Sequence, residues 1–501
     1  MKSFVPKIIA ALLLLVQAGF GIEDVVPQWT KTYNGSYFHS LDYGNGIALD
    51  SGGNVYVTGS TYVSSQGDNI WTRKYDKNGN EAWTRTYNGN SSQNDIGKGI
   101  AVDSSGNVFV AGSESVSSYF NIWMRKYDSS GNEIWTKTYN GAENRDDQAN
   151  TITVDSSGNI YLTGYQSVSR GSYTEPHIFT MKCDSNGNEV WTKIYNETLS
   201  SRDEGKGIAV DKNGNVYVTG FESAAMQNRN ICIIKYDSFG NETWVKKYNG
   251  IANGDDEGNG IAVDGSGNVY VTGFETVNGV NTNIWTRKYD SSGNEVWTKT
   301  YTSSVGNDDD SGCGITLDES GNIYVTGSVY GPGGGHSIWT RKYTSNGNVV
   351  WTKTYNESIN SDDAGNSIAV DFFGNVFVAG YISVGGEDEN IWVRKYRNLN
   401  APTFAVFKIV GGKNGYINPK KDESANFVFK TDEAGSVTFK VYNLKGELVK
   451  TVTASASGLS QLDSFSYNCK NEEGNYLASG IYIVKVQGPG LNIIKKMAIM
   501  K

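Results

Sequence analysis

The sequence predicts an all-β protein: a seven-bladed β-propeller closed by an N-terminal strand and followed by a small β-sandwich. Three observations lead there. A phrase of the form Gly-Ile-Ala-Val-Asp, a Gly-Asn turn and Val-Tyr-Val-Thr-Gly recurs seven times. Its aspartates, Asp50, Asp103, Asp155, Asp211, Asp264, Asp318 and Asp371, stand 53, 52, 56, 53, 54 and 53 residues apart, a period that fits one four-stranded blade. The repeat is also out of frame with the chain. Its first piece, Trp29–Tyr33, reads as an outermost strand ahead of any innermost one, and its last, Trp392–Tyr396, as a third strand with no fourth after it. Seven complete blades result only if the leading strand fills the last blade, which leaves no open sheet edge. After Tyr396 the repeat stops and a different β pattern begins.

In chain order, residues 1–21 read as a secretory signal peptide: Lys2 and Lys7 precede the apolar run Ile8–Val16, and Ala18 and Gly21 offer small residues for cleavage. That run is short for a span, and no other stretch approaches the ~18 apolar residues a span needs, so no membrane span is expected after signal removal. Residues 27–396 make the propeller. In blade one, alternation gives strand a as Gly46–Asp50, b as Asn54–Gly59, c as Asn69–Tyr75 and d as Glu81–Tyr87. The a-to-b and c-to-d links are nearly all Asp-x-x-Gly-Asn, where Gly supplies a positive φ and Asp accepts a local backbone hydrogen bond. Residues 397–413 read as a linker. Residues 414–501 carry strand-like runs at 426–430, 436–442, 448–453, 462–467, 481–486 and 492–500, enough for a sandwich.

Seven of the twelve tryptophans share one place in strand d. The other five, Trp71, Trp123, Trp285, Trp339 and Trp392, lie in strand c, each followed two residues later by an arginine on the same face. Blades three and four replace both together, by Phe179 with Met181 and by Cys232 with Ile234. Joint replacement points to arginine stacking on the indole between blades. The four cysteines occupy inequivalent places and form no disulfide framework, and Cys183 and Cys232 read as buried thiols.

Charge divides unevenly. Residues 23–401 hold 29 Lys and Arg against 45 Asp and Glu, whereas residues 402–501 hold 13 Lys against 8 acids. An acidic ring excludes nucleic acid, whose phosphates need clustered positive charge. Ahead of each strand a stands one aspartate per blade: Asp42, Asp95, Asp147, Asp203, Asp256, Asp310 and Asp363. In propellers generally this loop lies at one mouth of the central channel, so these carboxylates are the candidate metal ligands, and calcium is the cation hard oxygens suit; the alternative is a loop-capping aspartate that needs no metal. No other cofactor is expected. The b-to-c loops vary while the turns of the opposite face scarcely do, and variable loops on a rigid scaffold carry recognition. The longest, Gln166–Pro176 and its flank, offers Arg170, Tyr173, Glu175 and His177 as candidate ligand-binding residues. No catalytic residue can be named: His39, His177 and His336 lie in different blades without a nucleophile or metal spacing.

The repeats, as in Gly207-Ile208-Ala209-Val210-Asp211 running into Val216-Tyr217-Val218-Thr219-Gly220, resemble the bacterial seven-bladed beta-propeller repeat proteins. The tail, through Val437–Val449 and Leu477–Val486, resembles the Ig-like domain of flagellar hook assembly proteins and equally the C-terminal sorting domain of type IX secretion; it departs from the latter in lacking a Trp before its Gly-rich turn. The first resemblance implies a fold and little about activity; the second implies secretion machinery as a partner. Together they lead to the expectation of a monomeric, secreted or cell-surface protein. It would bind a glycan, envelope polymer or surface protein through its variable loop face, with a C-terminal module for sorting or anchoring. The rival is a secreted polysaccharide lyase or hydrolase, which requires an asymmetric cluster of carboxylates and histidine at one mouth.

Overall fold

The computed structural model describes residues 25–398 and 406–500, apart from 36–39, 90–92, 171–172, 196–201, 224–227, 278–280, 304–308, 359–360, 385–387, 412–415, 422, 432–433, 458–462 and 489–490. The expected signal peptide therefore lies outside the described residues, as does His39. Seven four-stranded antiparallel sheets follow one another along the chain. The last contains the N-terminal strand Val25–Tyr33, paired with Asp388–Asn398 in the register Thr30↔Arg394 and Thr32↔Trp392. The ring is closed at its inner edge too, where Asn366 Nδ2 of blade seven donates to the Gly44 carbonyl of blade one at 3.1 Å.

Blade one shows how sequence makes each sheet. Strands a to d are Tyr43–Leu49, Val55–Val63, Gly67–Tyr75 and Glu81–Tyr87. In the a-to-b turn Asp50 Oδ1 accepts from the N–H groups of Gly52 and Asn54, Asn54 Nδ2 and Tyr56 Oη donate to Oδ2, and Gly53 sits at φ 80°. The tyrosine of Val-Tyr-Val-Thr-Gly is thus buried with its hydroxyl satisfied by the turn aspartate, so one carboxylate fixes turn and strand together. Strand a starts three residues earlier than its alternation indicates, and strands b and c run on into what reads as loop. The b-to-c connections are long hairpins with short tips.

Each strand c arginine bridges two blades, as its joint loss with tryptophan indicates. The guanidinium of Arg341 lies 4.9 Å from the Trp339 ring and 4.3 Å from Tyr301, which is in strand d of the preceding blade. Its Nε donates to Thr352 Oγ1 at 2.8 Å. Arg73, Arg125, Arg287 and Arg394 repeat the sandwich. In blade three Phe179 and Met181 fill the space as apolar core, and in blade four Cys232 and Ile234 do so. All four cysteines are free, and Cys183 and Cys232 are buried thiols. The strand d tryptophans face the next blade's c-to-d turn: at Gly131, φ 80°, a Cβ would stand 2.7 Å from the Trp83 ring, so only glycine serves there.

The C-terminal domain stacks a three-stranded sheet on a four-stranded one, around a core of Phe407, Phe427, Phe429, Phe439, Tyr467 and Val484 among others. Its first strand, Val406–Val410, pairs with Ala425–Lys430 and falls inside the stretch that reads as linker. The domain rests on the uniform turn face of the ring. Lys77 meets Asp463 at 3.4 Å, Asn426 Nδ2 meets Ser51 Oγ at 3.2 Å, and Lys408 pairs with Glu319 and lies 4.2 Å from the Phe372 ring. No helix among the described residues is long and apolar enough to cross a membrane.

A double-mutant cycle of Trp339→Phe and Arg341→Met is expected to give a coupling of about 1 kcal/mol. The measurement is the denaturant midpoint of the four proteins. Additive losses would show that the arginine does not act through the ring.

Candidate functional site

A feature of strand a that the repeat hides places the site. In every blade the a-to-b ladder slips by one residue, between Gly44 and Gly46 in blade one and at the equivalent place in the other six. The skipped residues are Asn45, Lys98, Asn150, Lys206, Asn259, Cys313 and Asn366. Such a β-bulge frees one residue from the ladder and re-aims its side chain. It needs a glycine opposite: a Cβ on Gly59 would stand 1.7 Å from the Tyr43 carbonyl oxygen, and the last glycine of Val-Tyr-Val-Thr-Gly meets the same 1.7–1.9 Å obstruction in all seven blades. The bulged residues ring the central channel, where with one isoleucine per blade, Ile47 to Ile368, they line a cavity of about 550 Å³. Because the bulge lies near the start of strand a, the ring sits toward the face of the d-to-a and b-to-c loops.

The ring is not uniform. Asn45, Asn150, Asn259 and Asn366 each donate their amide N–H to a carbonyl of the next blade at 2.8–3.1 Å. Lys206 pairs with Glu204 at 3.1 Å, and Glu204 also accepts from Asn150. Lys98 makes no hydrogen bond or ion pair with a described residue; burial, then the repulsion of Lys206, lowers its pKa, which Glu204 opposes. Burial raises the Cys313 thiol to about 11. Charge in the ring therefore lies in blades two and four.

The seven loop aspartates do not project into the channel. All are 0–1% exposed. In each, Oδ1 accepts the N–H of a strand b residue in its own blade at 2.8–3.0 Å, as in Ser167 to Asp147. In six, Oδ2 accepts an N–H from the loop leaving the preceding blade, as in Gly141 to Asp147. The aspartates' own N–H groups reach further: that of Asp363 donates to the His336 carbonyl of the preceding blade at 3.0 Å. Six of the aspartates thus join two blades by hydrogen bonds a carboxylate makes strongly. Burial raises the pKa of Asp95, Asp147, Asp256, Asp310 and Asp363 against the pull of the N–H groups they accept. No group of three or more carboxylates, histidines or cysteines among the described residues could hold a metal ion. The structure thus gives the seven aspartates the capping role.

The third b-to-c connection is less a loop than an extended hairpin, Ile160–Arg170 against Tyr173–Cys183, with Arg170 opposite Tyr173 at its end and Glu175 opposite Val168. It takes His177 out of any exposed surface. His177 is 2% exposed, with Nδ1 3.5 Å from Asp203 Oδ2. This pair is sealed from any substrate. His336 lies at the rim, its ring nitrogens 2.9 Å from Asp362 Oδ1 and 3.0 Å from the Asp309 carbonyl. What sequence reasoning passed over is the ring, although its signal is plain once the blades are aligned: one variable residue, between two small ones, just ahead of Ile-Ala-Val-Asp.

The beta-propeller repeat family matches at residues 38–65, 84–113, 134–165, 190–220, 244–273, 297–331 and 350–386, and the FlgD Ig-like domain at 416–490. The chain is a beta-propeller-repeat protein with a C-terminal FlgD Ig-like domain. Among solved structures it is similar to a protein of unknown function from Dyadobacter fermentans, at 11% identity and a TM-score of 0.44 over 75% of this chain and 100% of that one. It is similar also to an ulvan lyase of polysaccharide lyase family PL25, at 12% and 0.42 over 72% and 97%. A third is the propeller domain of the trilobed protease from Pyrococcus furiosus, at 9% and 0.42 over 72% and 100%. No curated protein matches. These likenesses concern the propeller fold.

Asp147→Ala leaves the buried N–H groups of Gly141 and Ser167 without acceptors and is expected to lower stability by about 3 kcal/mol. Asp128→Ala, in an exposed turn, should lower it much less. Denaturant titration of both variants checks this; equal losses would mean that the interior carboxylates do not join the blades.

Proposed function

We propose that this beta-propeller-repeat protein is an exported, secreted or surface-held binding protein. Its partner, a glycan, envelope polymer or surface protein, docks on the loop face and at the channel mouth, and the Ig-like domain serves sorting or anchoring. The observation that carries this reading is the difference between the two faces. One is built from nearly identical Asp-x-x-Gly-Asn turns and holds the second domain through Lys77, Asn426 and Lys408. The other has hairpins of unequal length, the nearer approach to the polar ring, and exposed apolar side chains at Leu41, Val116, Tyr119, Ile251 and Val384. A scaffold kept regular on its attached side and varied on its free side suits a presenting module.

The rival lyase or hydrolase reading predicts turnover as well as binding. The His177–Asp203 pair is buried and cannot serve a lyase or hydrolase at the mouth; the histidine left to that rival is His336, at the rim against Asp362.

The test is a binding screen of the full chain, without its first 21 residues, against glycans and envelope polymers, with calcium and with chelator. Saturable binding without product formation is expected, the same in both conditions, and weakened by Tyr119→Ala. Silence on every surface, or product release, would overturn it.

A further inference from the structure

The ring of bulged residues carries a more specific reading, which rests on the binding role proposed above. We infer that the channel binds a hydroxylated anion, the acidic sugar of a glycan chain, with the Lys98 ammonium meeting its carboxylate.

Three properties of the cavity point to that chemistry. The first is an unanswered cation. Lys206 already has Glu204 at 3.1 Å, whereas Lys98 has no hydrogen-bond or ion-pair partner among the described residues and stands in the repulsive field of Lys206. An anion is the group whose arrival relieves both conditions. Burial and that repulsion also lower the Lys98 pKa, and Glu204, already paired with Lys206, opposes them without reversing the direction.

The second property is the polarity of the remaining ring. The four asparagines direct their N–H groups to neighbouring carbonyls. Asn150 and Asn259 commit both amide hydrogens, and Asn45 and Asn366 keep one each; what all four have in common to offer a ligand is the amide oxygen, which accepts hydrogen bonds only. A ligand that matches acceptors on several sides and one cation supplies several donors and one negative charge. Sugar hydroxyls with a single carboxylate have that pattern; a free inorganic anion lacks the donors. The aspartate or glutamate side chain of a peptide lacks them likewise.

The third is size and setting. A cavity of about 550 Å³ lies within the range of small-ligand sites and accommodates a sugar unit. The isoleucine ring beneath gives an apolar floor for the C–H face of a pyranose. Outside the channel the repeats are strongly acidic, 29 bases against 45 acids over residues 23–401. A densely charged polyanion is therefore repelled along its length, and a chain bearing an isolated carboxylate at or near its end is favoured.

The experiment is calorimetric titration of the full chain, without its first 21 residues, with glucuronate- and galacturonate-terminated disaccharides. Their neutral counterparts, inorganic sulfate and acetylated glutamate peptides are titrated in parallel. Each uses the parent protein, Lys98→Gln and the exposed-turn control Lys212→Gln. One charge-assisted contact corresponds to about tenfold or more in affinity. The expected result is an acidic disaccharide bound at least about tenfold more tightly than its neutral counterpart, a preference abolished by Lys98→Gln and kept by Lys212→Gln.

Acylation of Lys98 at pH 8, followed by peptide mass mapping, should be slowed by the bound acidic sugar. That second readout does not depend on how the variant folds. Equal affinity of Lys98→Gln for the acidic disaccharide, equal affinity of the parent for the neutral one, or binding of sulfate or the peptide as tight as that of the sugar would each overturn the inference. If the polymer screen succeeds and Lys98 is indifferent, this inference fails alone; if no surface or sugar binds, the binding role fails with it.

Discussion

The β-bulge of strand a, with the glycine opposite it in strand b, is the constraint from which the rest of the ring follows. Seven strands converging on an axis must bend away from a flat ladder, and one extra residue per strand supplies that bend. The bulge brings a strand a carbonyl so near strand b that any Cβ would overlap it, at 1.7–1.9 Å. The terminal glycine of Val-Tyr-Val-Thr-Gly is therefore required by its neighbour rather than by its own backbone angle. The same slip takes one side chain per blade out of the pleat and into the channel. Fold and site share one cause.

Between the blades, cohesion comes from polar groups as much as from the apolar wedges. Six of the loop aspartates collect N–H groups from two blades, and five arginines lie between an indole and a tyrosine of the preceding blade. Both devices act across the seam where one sheet ends and the next begins, and seams are where a ring of separate sheets would otherwise open. Blades three and four show that the arginine is dispensable when its space is filled by Phe179 and Met181 or by Cys232 and Ile234. The aspartate is never replaced in seven blades. An apolar side chain can substitute for packing, but only an acceptor can satisfy two buried N–H groups.

Much of this was legible in the residues. The period and the offset frame pointed to the blade count and the closing strand, because a hydrogen-bonded edge must be matched by a partner wherever it falls in the chain. The joint loss of Trp and Arg gave the stacking. The beginning of strand a was not legible, since Gly44-Asn45-Gly46 reads as a turn until a partner strand holds it extended. The strand Val406–Val410 was missed because it lies in a short run beside Gly411 and Gly412. Loop length was a poor guide to contact: the long third connection became paired strands that drew His177 inside, against Asp203. The carboxylates suggested a metal because their regular spacing is visible in sequence and their N–H partners are not.

Identical positions and divergent ones do different work in a repeat. The turn aspartates, the strand b glycines and the loop aspartates are under the same geometric demand in every blade, so they agree. The bulged position has no ladder to keep and no core to fill, and it reads Asn, Lys, Asn, Lys, Asn, Cys, Asn around the ring. Four of these residues tie one blade to the next through an amide. The two lysines do not serve that purpose and add charge to a channel that the fold would hold together without it. Lys206 is answered by Glu204; Lys98, half-buried without a hydrogen-bond or ion-pair partner among the described residues, carries a desolvation cost, and a bound anion is the physical arrangement that offsets it.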